Sequence, residues 1–352
     1  MSAASATPRV SAVQVGWAVR GVALVVVAVL FIEAPNVLSP YWTLIATQVV
    51  LAFAIAAPLN MLTGNAGQFS LGNAAFLAIG AYTGAYVVLK LDYQLPIALV
   101  VAGVIGATAG FVVGLPALRL RGAYLLMSTL AAHYLVVFAA QRFQSAQFGA
   151  AGAIFPPLQV GGVDLSSPRS MYWVILAFAA AVALVIYNVM WSGYGRAIEA
   201  VKERDLAAAA CGIPVARTKL SVWALTSALI AMAGVLQAYL IGAATFEYYT
   251  LDLAIVYVAI IIVGGLGSLT GSFLGACFIT LVPVAMNHLT EKYGPGVGST
   301  DGGLLSHPLE LETIVYGAII IGFIILRPEG LVGVVRSVGR LAGRITGGGR
   351  RG

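Results

Sequence analysis

Residues Trp191–Lys219 read WSGYGRAIEAVKERDLAAAACGIPVARTK, a charged segment between two long apolar runs. Its charged side chains are Arg196, Glu199, Lys202, Glu203, Arg204, Asp205, Arg217 and Lys219. The flanking apolar runs, at about residues 170–190 and 218–243, are each long enough to cross a bilayer. Because burying so many charges in lipid costs too much free energy, the segment must lie outside the membrane, between two spans. The pattern predicts a membrane protein with an exposed charged helix whose composition suits docking to another protein.

The overall composition supports the same class. The chain has 352 residues, of which 60% are hydrophobic and only 9% are charged, whereas about 25% of the residues of a soluble domain are charged. The mean hydropathy is +0.96. The apolar runs are continuous and do not alternate with period two, which disfavours a β-barrel. We therefore predict an all-α polytopic membrane protein, and we expect no nucleic-acid partner because the net charge of +6 comes from basic residues clustered in loops.

About ten transmembrane helices are predicted from the apolar runs. They lie at roughly 13–33, 41–62, 68–89, 95–117, 123–141, 170–190, 218–243, 250–265, 269–288 and 312–326. The third span and the eighth to tenth are short or interrupted by glycine. The first has a core short enough for a signal peptide, but its exit lacks a small-x-small cleavage site, which favours a retained anchor. Residues 1–333 are expected to form a single transmembrane domain, followed by a disordered basic tail at 334–352.

The basic residues predict the orientation of these spans. With the 191–219 loop placed in the cytoplasm, the outer loops hold only Lys90, Arg142, Arg169 and Lys292, and the other 15 of the 19 basic residues fall inside. Cytoplasmic loops are the ones enriched in Lys and Arg. The asymmetry predicts that both termini lie in the cytoplasm.

Within the charged loop, residues 195–211 are predicted to form one helix, with Gly212 as its C-terminal cap and Pro214 just beyond. Glu199, Lys202 and Glu203 are expected on a solvated face. A narrow apolar stripe is formed by Ile198, Val201, Leu206 and Ala209. Two interpretations stand side by side: a solvated helix beside the membrane, or a docking site for a partner protein.

A second set of candidate residues is polar and lies at membrane depth. It consists of Asn65, Gln68, Ser70 and Asn73 in the glycine-rich stretch 60–86, with Thr129 and His133 in the fifth span. In lipid, such side chains need partners or a water-lined path. They are therefore candidates for a translocation path, and helix-packing hydrogen bonds are the alternative. For His133 we favour packing over a proton relay, because its helix contains no Asp or Glu.

Two glycine-rich segments of the chain are similar in sequence. Residues 64–72 (GNAGQFSLG) and 264–271 (GGLGSLTG) share the spacing of two glycines and a hydroxyl residue. Paired hydrophobic segments interrupted by glycine are typical of transporters built from two repeated halves. The similarity therefore predicts an internal repeat. The alternative is that glycine is simply common in membrane helices.

The sequence contains no GxxxxGK[ST] phosphate loop, Ser/His/Asp set or metal-ligand spacing. We therefore expect no catalytic residues, no metal and no cofactor, and ATP, if used, to be bound by separate subunits.

Together these motifs resemble the permease subunits of branched-chain amino-acid ABC importers, the LivM/LivH family, and LivM by length. The resemblance runs from about Tyr41 to Gly333. It is carried by GNAGQFSLGNAAFLAIGAYTGA at 64–85, RLRGAYLLMSTLA at 119–131, GRAIEAVKERDLAAAACGI at 195–213, GGLGSLTGSFLGA at 264–276 and RPEGLVG at 327–333.

The resemblance implies a pore subunit that pairs with a second, similar permease. Two cytoplasmic ATPases would power it, and an extracytoplasmic binding protein would deliver the solute. The region 195–213 looks like the coupling helix to the ATPase, and the residues that match the family pattern are Gly195, Glu199, Ala200, Asp205 and Gly212.

Two departures from the family pattern concern the solute. After residues 129–131 the family usually has Phe, a small residue and Glu, whereas this chain has Ala132, His133 and Tyr134. A TGGxxGI-like loop is replaced by FGAAGAI at 148–154. Urea, short amides, aromatic acids, or a sugar or nucleoside therefore stand beside branched-chain amino acids as candidate solutes. An ion-driven secondary transporter is less favoured, because no membrane carboxylate is evident in the sequence.

Overall fold

The computed structural model describes residues 39–120, 122–160 and 163–293, together with 317, 318, 322 and 330–333. The first predicted span, the tail after residue 333 and most of the tenth span lie outside these residues. Eight of the ten predicted spans coincide with described helices.

The described chain is almost entirely helical. Its helices are α1 (Pro40–Asn60), extended by a π-helix (Met61–Asn65), α2 (Asn73–Leu89), α3 (Leu95–Gly114), α4 (Ala123–Gln147), α5 (Pro168–Trp191), α6 (Gly193–Glu203), α7 (Asp205–Ala210), α8 (Val215–Ile241), α9 (Leu251–Gly264) and α10 (Leu269–Tyr293), with 3-10 turns at Pro116–Leu118 and Phe246–Tyr248. Five are long and apolar enough to cross a membrane: Pro40–Asn65, Leu95–Gly114, Ala123–Gln147, Pro168–Trp191 and Val215–Ile241. The shorter apolar helices are Asn73–Leu89, Leu251–Gly264 and Leu269–Ala285. The prediction of a polytopic all-α membrane protein is confirmed.

The third predicted span begins later than expected, at Asn73 instead of residue 68. The backbone N–H of Gln68 bonds back to the Leu62 carbonyl at 3.0 Å, and Gly67 adopts a φ of +67°. This left-handed turn closes the preceding helix, and glycine adopts such a φ at little steric cost. The polar residues between Gly67 and Asn73 therefore lie in a connecting loop and not in a helix.

Helix α8 runs through the centre of the bundle and packs closely on α2 and α3. A Cβ on Gly80 of α2 would lie 1.8 Å from the Ala231 carbonyl oxygen, and one on Gly234 would lie 2.3 Å from that of Leu77. Gly106 of α3 approaches Ala231 in the same way. Small residues let helix backbones approach this closely in membranes. The core is thus built around α8, which connects the charged loop to the opposite end of the bundle.

Four short strands lie at that opposite end. β1 (Ala153–Ile154) pairs antiparallel with β4 (Ala243–Ala244), Ala153 opposite Ala244, and β2 (Gln159–Val160) pairs with β3 (Val163–Asp164). The first pair ties the loop after α4 to the end of α8. The bundle therefore has two distinct ends, one with α6 and α7 and one with these strands.

Candidate functional site

The charged loop forms two helices, so the prediction of one continuous helix over residues 195–211 is wrong. Helix α6 ends at Glu203, Arg204 adopts extended dihedral angles (φ −154°, ψ 109°), and α7 begins at Asp205. The Asp205 carboxylate accepts a salt bridge from Lys219 Nζ on α8 at 2.7 Å. The salt bridge is made by the first residue of α7, immediately after the break.

The predicted cap at Gly212 is confirmed. Gly212 has a φ of +81°, and its N–H bonds to the Ala209 carbonyl at 3.0 Å. The N–H of Ile213 bonds to the Ala208 carbonyl at 3.0 Å. These two bonds form a Schellman motif, which satisfies carbonyls left free at a helix end.

The break at Arg204 also divides the predicted apolar stripe. Ile198 is 2% exposed and packs into the core together with Val201, whereas Leu206 is 86% exposed and Ala209 is exposed as well. Glu199 is exposed, Ala200 is half-buried, and Gly195 is buried against the Met190 carbonyl of α5. Helix α6 is therefore anchored by its apolar side, while Glu199 and Leu206 are exposed on the outer surface of the bundle.

Lys202 is exposed, as predicted together with Glu199 and Glu203, but its ammonium group also bonds the protein backbone. Its Nζ donates a hydrogen bond to the Gly64 carbonyl oxygen at 2.7 Å. Its aliphatic stem lies against Gly67, where a Cβ would be 3.0 Å from Lys202 Cγ. Gly64 belongs to the π-helix that ends α1, and the last carbonyls of a helix lack partners within it. The lysine therefore connects α6 directly to the end of a membrane span.

The two similar glycine-rich segments, 64–72 and 264–271, meet beside Lys202. We call the contact between Gly64 and Gly267 the glycine crossing. A Cβ on Gly64 would lie 2.1 Å from the Gly267 nitrogen, so the two backbones are in direct contact. Gly67 and Gly267 have similar positive φ angles, +67° and +75°. The close contact requires glycine at position 64, and the positive φ angles favour glycine at positions 67 and 267. The internal repeat itself stays a prediction.

Asn60 joins the two segments and was missed by the sequence analysis. Its Nδ2 donates to the carbonyls of Gly265 (3.1 Å) and Ser268 (3.0 Å) and to Ser272 Oγ (2.8 Å). Its Oδ1 accepts from the Gly267 N–H at 2.8 Å. The only sequence signal was an asparagine in the last turn of an apolar span, which membrane helices tolerate when its polar atoms are paired.

The predicted path residues are mostly buried inside the protein. Gln68, Ser70, Asn73, Thr129 and His133 are all buried, and Asn65 is half-buried. Gln68 Oε1 accepts from Trp223 Nε1, the Ser70 hydroxyl accepts from the Gly72 N–H at 3.1 Å, and Thr129 Oγ1 accepts from the Leu71 N–H at 3.1 Å. The 68–72 loop is thereby fastened to α4 and α8.

Two atoms of this set lack hydrogen bonds. Asn73 Nδ2 donates to the Ala254 carbonyl at 3.5 Å, but Asn73 Oδ1 has no partner within the part of the chain that the structure describes. His133 Nδ1 is likewise unpaired among the described residues. Such buried, unpaired atoms cost free energy, so Asn73 and His133 differ from the well-bonded members of the set.

Two cavities flank helix α6. One of about 350 Å³ separates α6 and α7 from the 66–68 loop and is lined by Gln68, Lys202 and Asp205. The other, about 340 Å³, lies between Asn60, Asn65, Glu199 and Ser268.

A comparison of the sequence with known protein families identifies the family of this chain. Residues 41–324 match the model of the family described as "Branched-chain amino acid transport system / permease component". The chain belongs to this family. It is therefore the membrane-spanning permease of an ABC importer, as the resemblance implied.

Individual relatives in the family carry different solutes. The chain is 28% identical to the high-affinity branched-chain amino acid transport system permease protein LivM of Salmonella typhimurium, over 89% of this chain and 74% of that protein. It is 26% identical to the galactose/methyl galactoside import permease protein MglC of the same organism, over 84% of this chain and 93% of that one. It is 27% identical to the autoinducer 2 import permease LsrC of Enterobacter sp. (strain 638), over 68% and 69% of the two chains. No solved structure matches this chain.

Proposed function

We propose that this permease forms the translocation path for branched-chain amino acids delivered by an extracytoplasmic binding protein. The proposal is supported by the similarity to LivM over most of both chains. A sugar is the second candidate solute, because the galactose permease aligns with a comparable share of this chain. Uptake of labelled leucine and labelled galactose by the assembled importer distinguishes the two.

The proposed complex has a second homologous permease and two cytoplasmic ATPases, which bind the ATP. The observation that carries this proposal is the exposed surface of α6 and α7 in a segment that matches the family's coupling helix. Glu199 offers a charge there, and Leu206 offers an apolar side chain that is almost fully exposed. An isolated apolar side chain beside exposed charges is a suitable anchor for a partner protein. The shape of this surface depends on four further residues that do not themselves contact the ATPase: Gly195, Ala200, Asp205 and Gly212.

The contacts suggest how ATPase movement reaches the membrane. A force on α6 acts on α1 through the Lys202–Gly64 bond, and a force on α7 acts on α8 through the Asp205–Lys219 pair. Both spans reach the glycine crossing or the core of the bundle. We propose that the translocation path opens beside this region and is bordered by Asn65, Gln68, Ser70, Asn73, Thr129 and His133. In this conformation the hydrogen bonds of Gln68, Ser70 and Thr129 also serve helix packing.

The proposed location is a prokaryotic cytoplasmic membrane with both termini in the cytoplasm, supported by the distribution of the basic residues. In this orientation α6 and α7 face the ATPases, and the short strands face the binding protein.

The coupling role is tested with Glu199→Ala and Gly212→Trp in a reconstituted complex of both permeases, both ATPases and the binding protein. We expect both variants to assemble but to lose most of the ATPase stimulation by loaded binding protein. A lost hydrogen bond to a charged group costs about 1.5–3 kcal/mol, or about tenfold or more in coupling.

Gly149→Trp is the matched control for Gly212→Trp. Gly149 has a similar φ of +80° and equally open surroundings, but it lies in the loop after α4, at the opposite end of the bundle. The same strain is therefore introduced away from the ATPases. Because this end faces the binding protein, the control is read by thermal stability and assembly, which should match those of Gly212→Trp and so show that its lost stimulation is not a folding defect. Normal stimulation in both coupling variants would refute the docking site.

A further inference from the structure

A cavity of about 400 Å³ lies between α1, α8, α9 and α10, far from the coupling segment. One of its residues, Gln237, is 22 residues along α8 from Val215, about 33 Å at 1.5 Å per residue. The cavity therefore occupies the half of the bundle that carries the short strands. Its volume is within the range of small-molecule sites, about 300–1,000 Å³.

Gln237 supplies the polar centre of this cavity. It is 5% exposed, and its Nε2 donates to the hydroxyl oxygens of Tyr248 (3.4 Å) and Tyr257 (3.3 Å). Its Oε1 has no hydrogen-bond partner among the described residues. A buried carbonyl oxygen left unpaired is costly, which indicates that something else fills this position at some stage of function.

The two tyrosines complete the hydrogen-bonding set. Because each hydroxyl oxygen accepts from Gln237, each keeps its own proton available for donation. The cavity thus offers two donors, on Tyr248 and Tyr257, and one acceptor, Gln237 Oε1, close together. An amino acid has the complementary groups: its carboxylate accepts two hydrogen bonds and its ammonium group donates.

The rest of the lining is mostly apolar. Leu253, Val256, Ile260 and Ile279 form much of the wall, and none of the described lining residues carries a charge. A sugar needs polar partners around most of its surface, whereas Gln48 and Thr280 are the only polar side chains of the described lining besides Gln237 and the two tyrosines. The lining therefore favours a solute with one polar end and an aliphatic body. Without charged partners the site would bind such a solute weakly, as a transport path requires.

We propose that this cavity is a contact site for aliphatic amino acids within the permease, with Gln237 as its specificity-determining residue. The proposal rests on the proposed function, because it names where in this subunit the solute is recognised. It differs from the predicted path set, none of whose members lines this cavity.

The test is Gln237→Met in the reconstituted importer, with labelled leucine as the probe. Methionine keeps the length of the side chain but removes the amide. We expect uptake at low leucine concentration to fall about tenfold or more, with stimulated ATPase activity retained and thermal stability unchanged or raised. A residue that only supports packing would instead lower thermal stability and leave the concentration dependence of uptake intact.

Gln144→Met is the matched control. Gln144 is also a buried glutamine in this half of the bundle, but it bonds Tyr82 (2.5 Å) and the Phe246 N–H (3.0 Å) and does not line the cavity. We expect this variant to lose thermal stability while its leucine concentration dependence stays that of the parent protein.

The outcomes separate this inference from the proposed function. If the parent importer takes up galactose and no leucine, the proposed solute is wrong. If it takes up leucine and Gln237→Met does so equally well, the cavity is not a contact site. Should Gln237→Met fail to assemble, Val256→Cys in a chain with Cys211 and Cys277 replaced by serine decides: a water-soluble thiol reagent should block leucine uptake, and unhindered uptake by the modified protein would overturn the inference.

Discussion

Replacing Lys202 by methionine tests the proposed connection between the coupling segment and the membrane core. Methionine keeps an aliphatic stem against Gly67 but removes the ammonium group that donates to the Gly64 carbonyl at 2.7 Å. The substitution therefore removes one contact between α6 and α1 and leaves the buried Ile198 and Val201 in place.

The size of the effect follows from the kind of bond. A hydrogen bond made by a charged group contributes about 1.5–3 kcal/mol. Lys202 is an exposed residue, so water replaces part of the lost interaction and the lower value applies. A loss of about 1.5 kcal/mol corresponds to a roughly tenfold weaker linkage between two sites.

The assay measures leucine transported per ATP hydrolysed in proteoliposomes containing the complete importer. We expect this ratio to fall about tenfold in Lys202→Met, while basal ATPase activity and assembly are retained. Lys90→Met is the control, because Lys90 lies at the other end of the bundle, where its ammonium group contacts the Phe148 ring. An unchanged ratio in a fully assembled Lys202→Met complex would refute the proposed connection.

Three further predictions concern stability, orientation and the path. Asn60→Ala should lower the free energy of unfolding in detergent by about 2 kcal/mol, because the two amide hydrogens and the amide oxygen of Asn60 make the equivalent of three hydrogen bonds of about 0.6 kcal/mol each; a change within the error of the measurement would contradict this role. A cysteine at Ser192 should react with an impermeant reagent only from the cytoplasm and one at Ser299 only from outside, and labelling of both from one side would show that the span count is wrong. Cysteines at Gln68 and Ser70 should react in at least one nucleotide state and block uptake when modified. If they stay unreactive in every state while alanine substitutions lower thermal stability, these residues serve packing alone.

The structure also corrects how the polar loop at 68–72 is understood. The sequence offered two interpretations of its buried polar side chains, pathway lining and packing. In this conformation Gln68 and Thr129 make hydrogen bonds that fasten the loop to α8 and α4, and Ser70 makes one within the loop. A path along these residues therefore requires those bonds to open, which is why reactivity must be measured across nucleotide states.

Much of the architecture could be predicted because the relevant signals are local. Apolar runs of membrane length identify spans wherever they pack, since the bilayer supplies the same solvent to each of them. Gly212 was predictable as a cap because a left-handed residue at a helix end favours glycine regardless of distant contacts. The order and spacing of the glycine-rich and charged motifs were enough to indicate the family.

The remaining features depend on residues that are far apart in sequence. The break at Arg204 coincides with a salt bridge from Asp205 to Lys219 on another helix. Lys202 bonds to Gly64, 138 residues away, and Asn60 bonds to Gly265, 205 residues away. The unpaired oxygen of Gln237 becomes evident only when the tyrosines around it are in place. Hydropathy and turn chemistry act along the chain and can be read from it, whereas the partners of buried polar atoms are set by how the helices cross, which the tertiary structure alone decides.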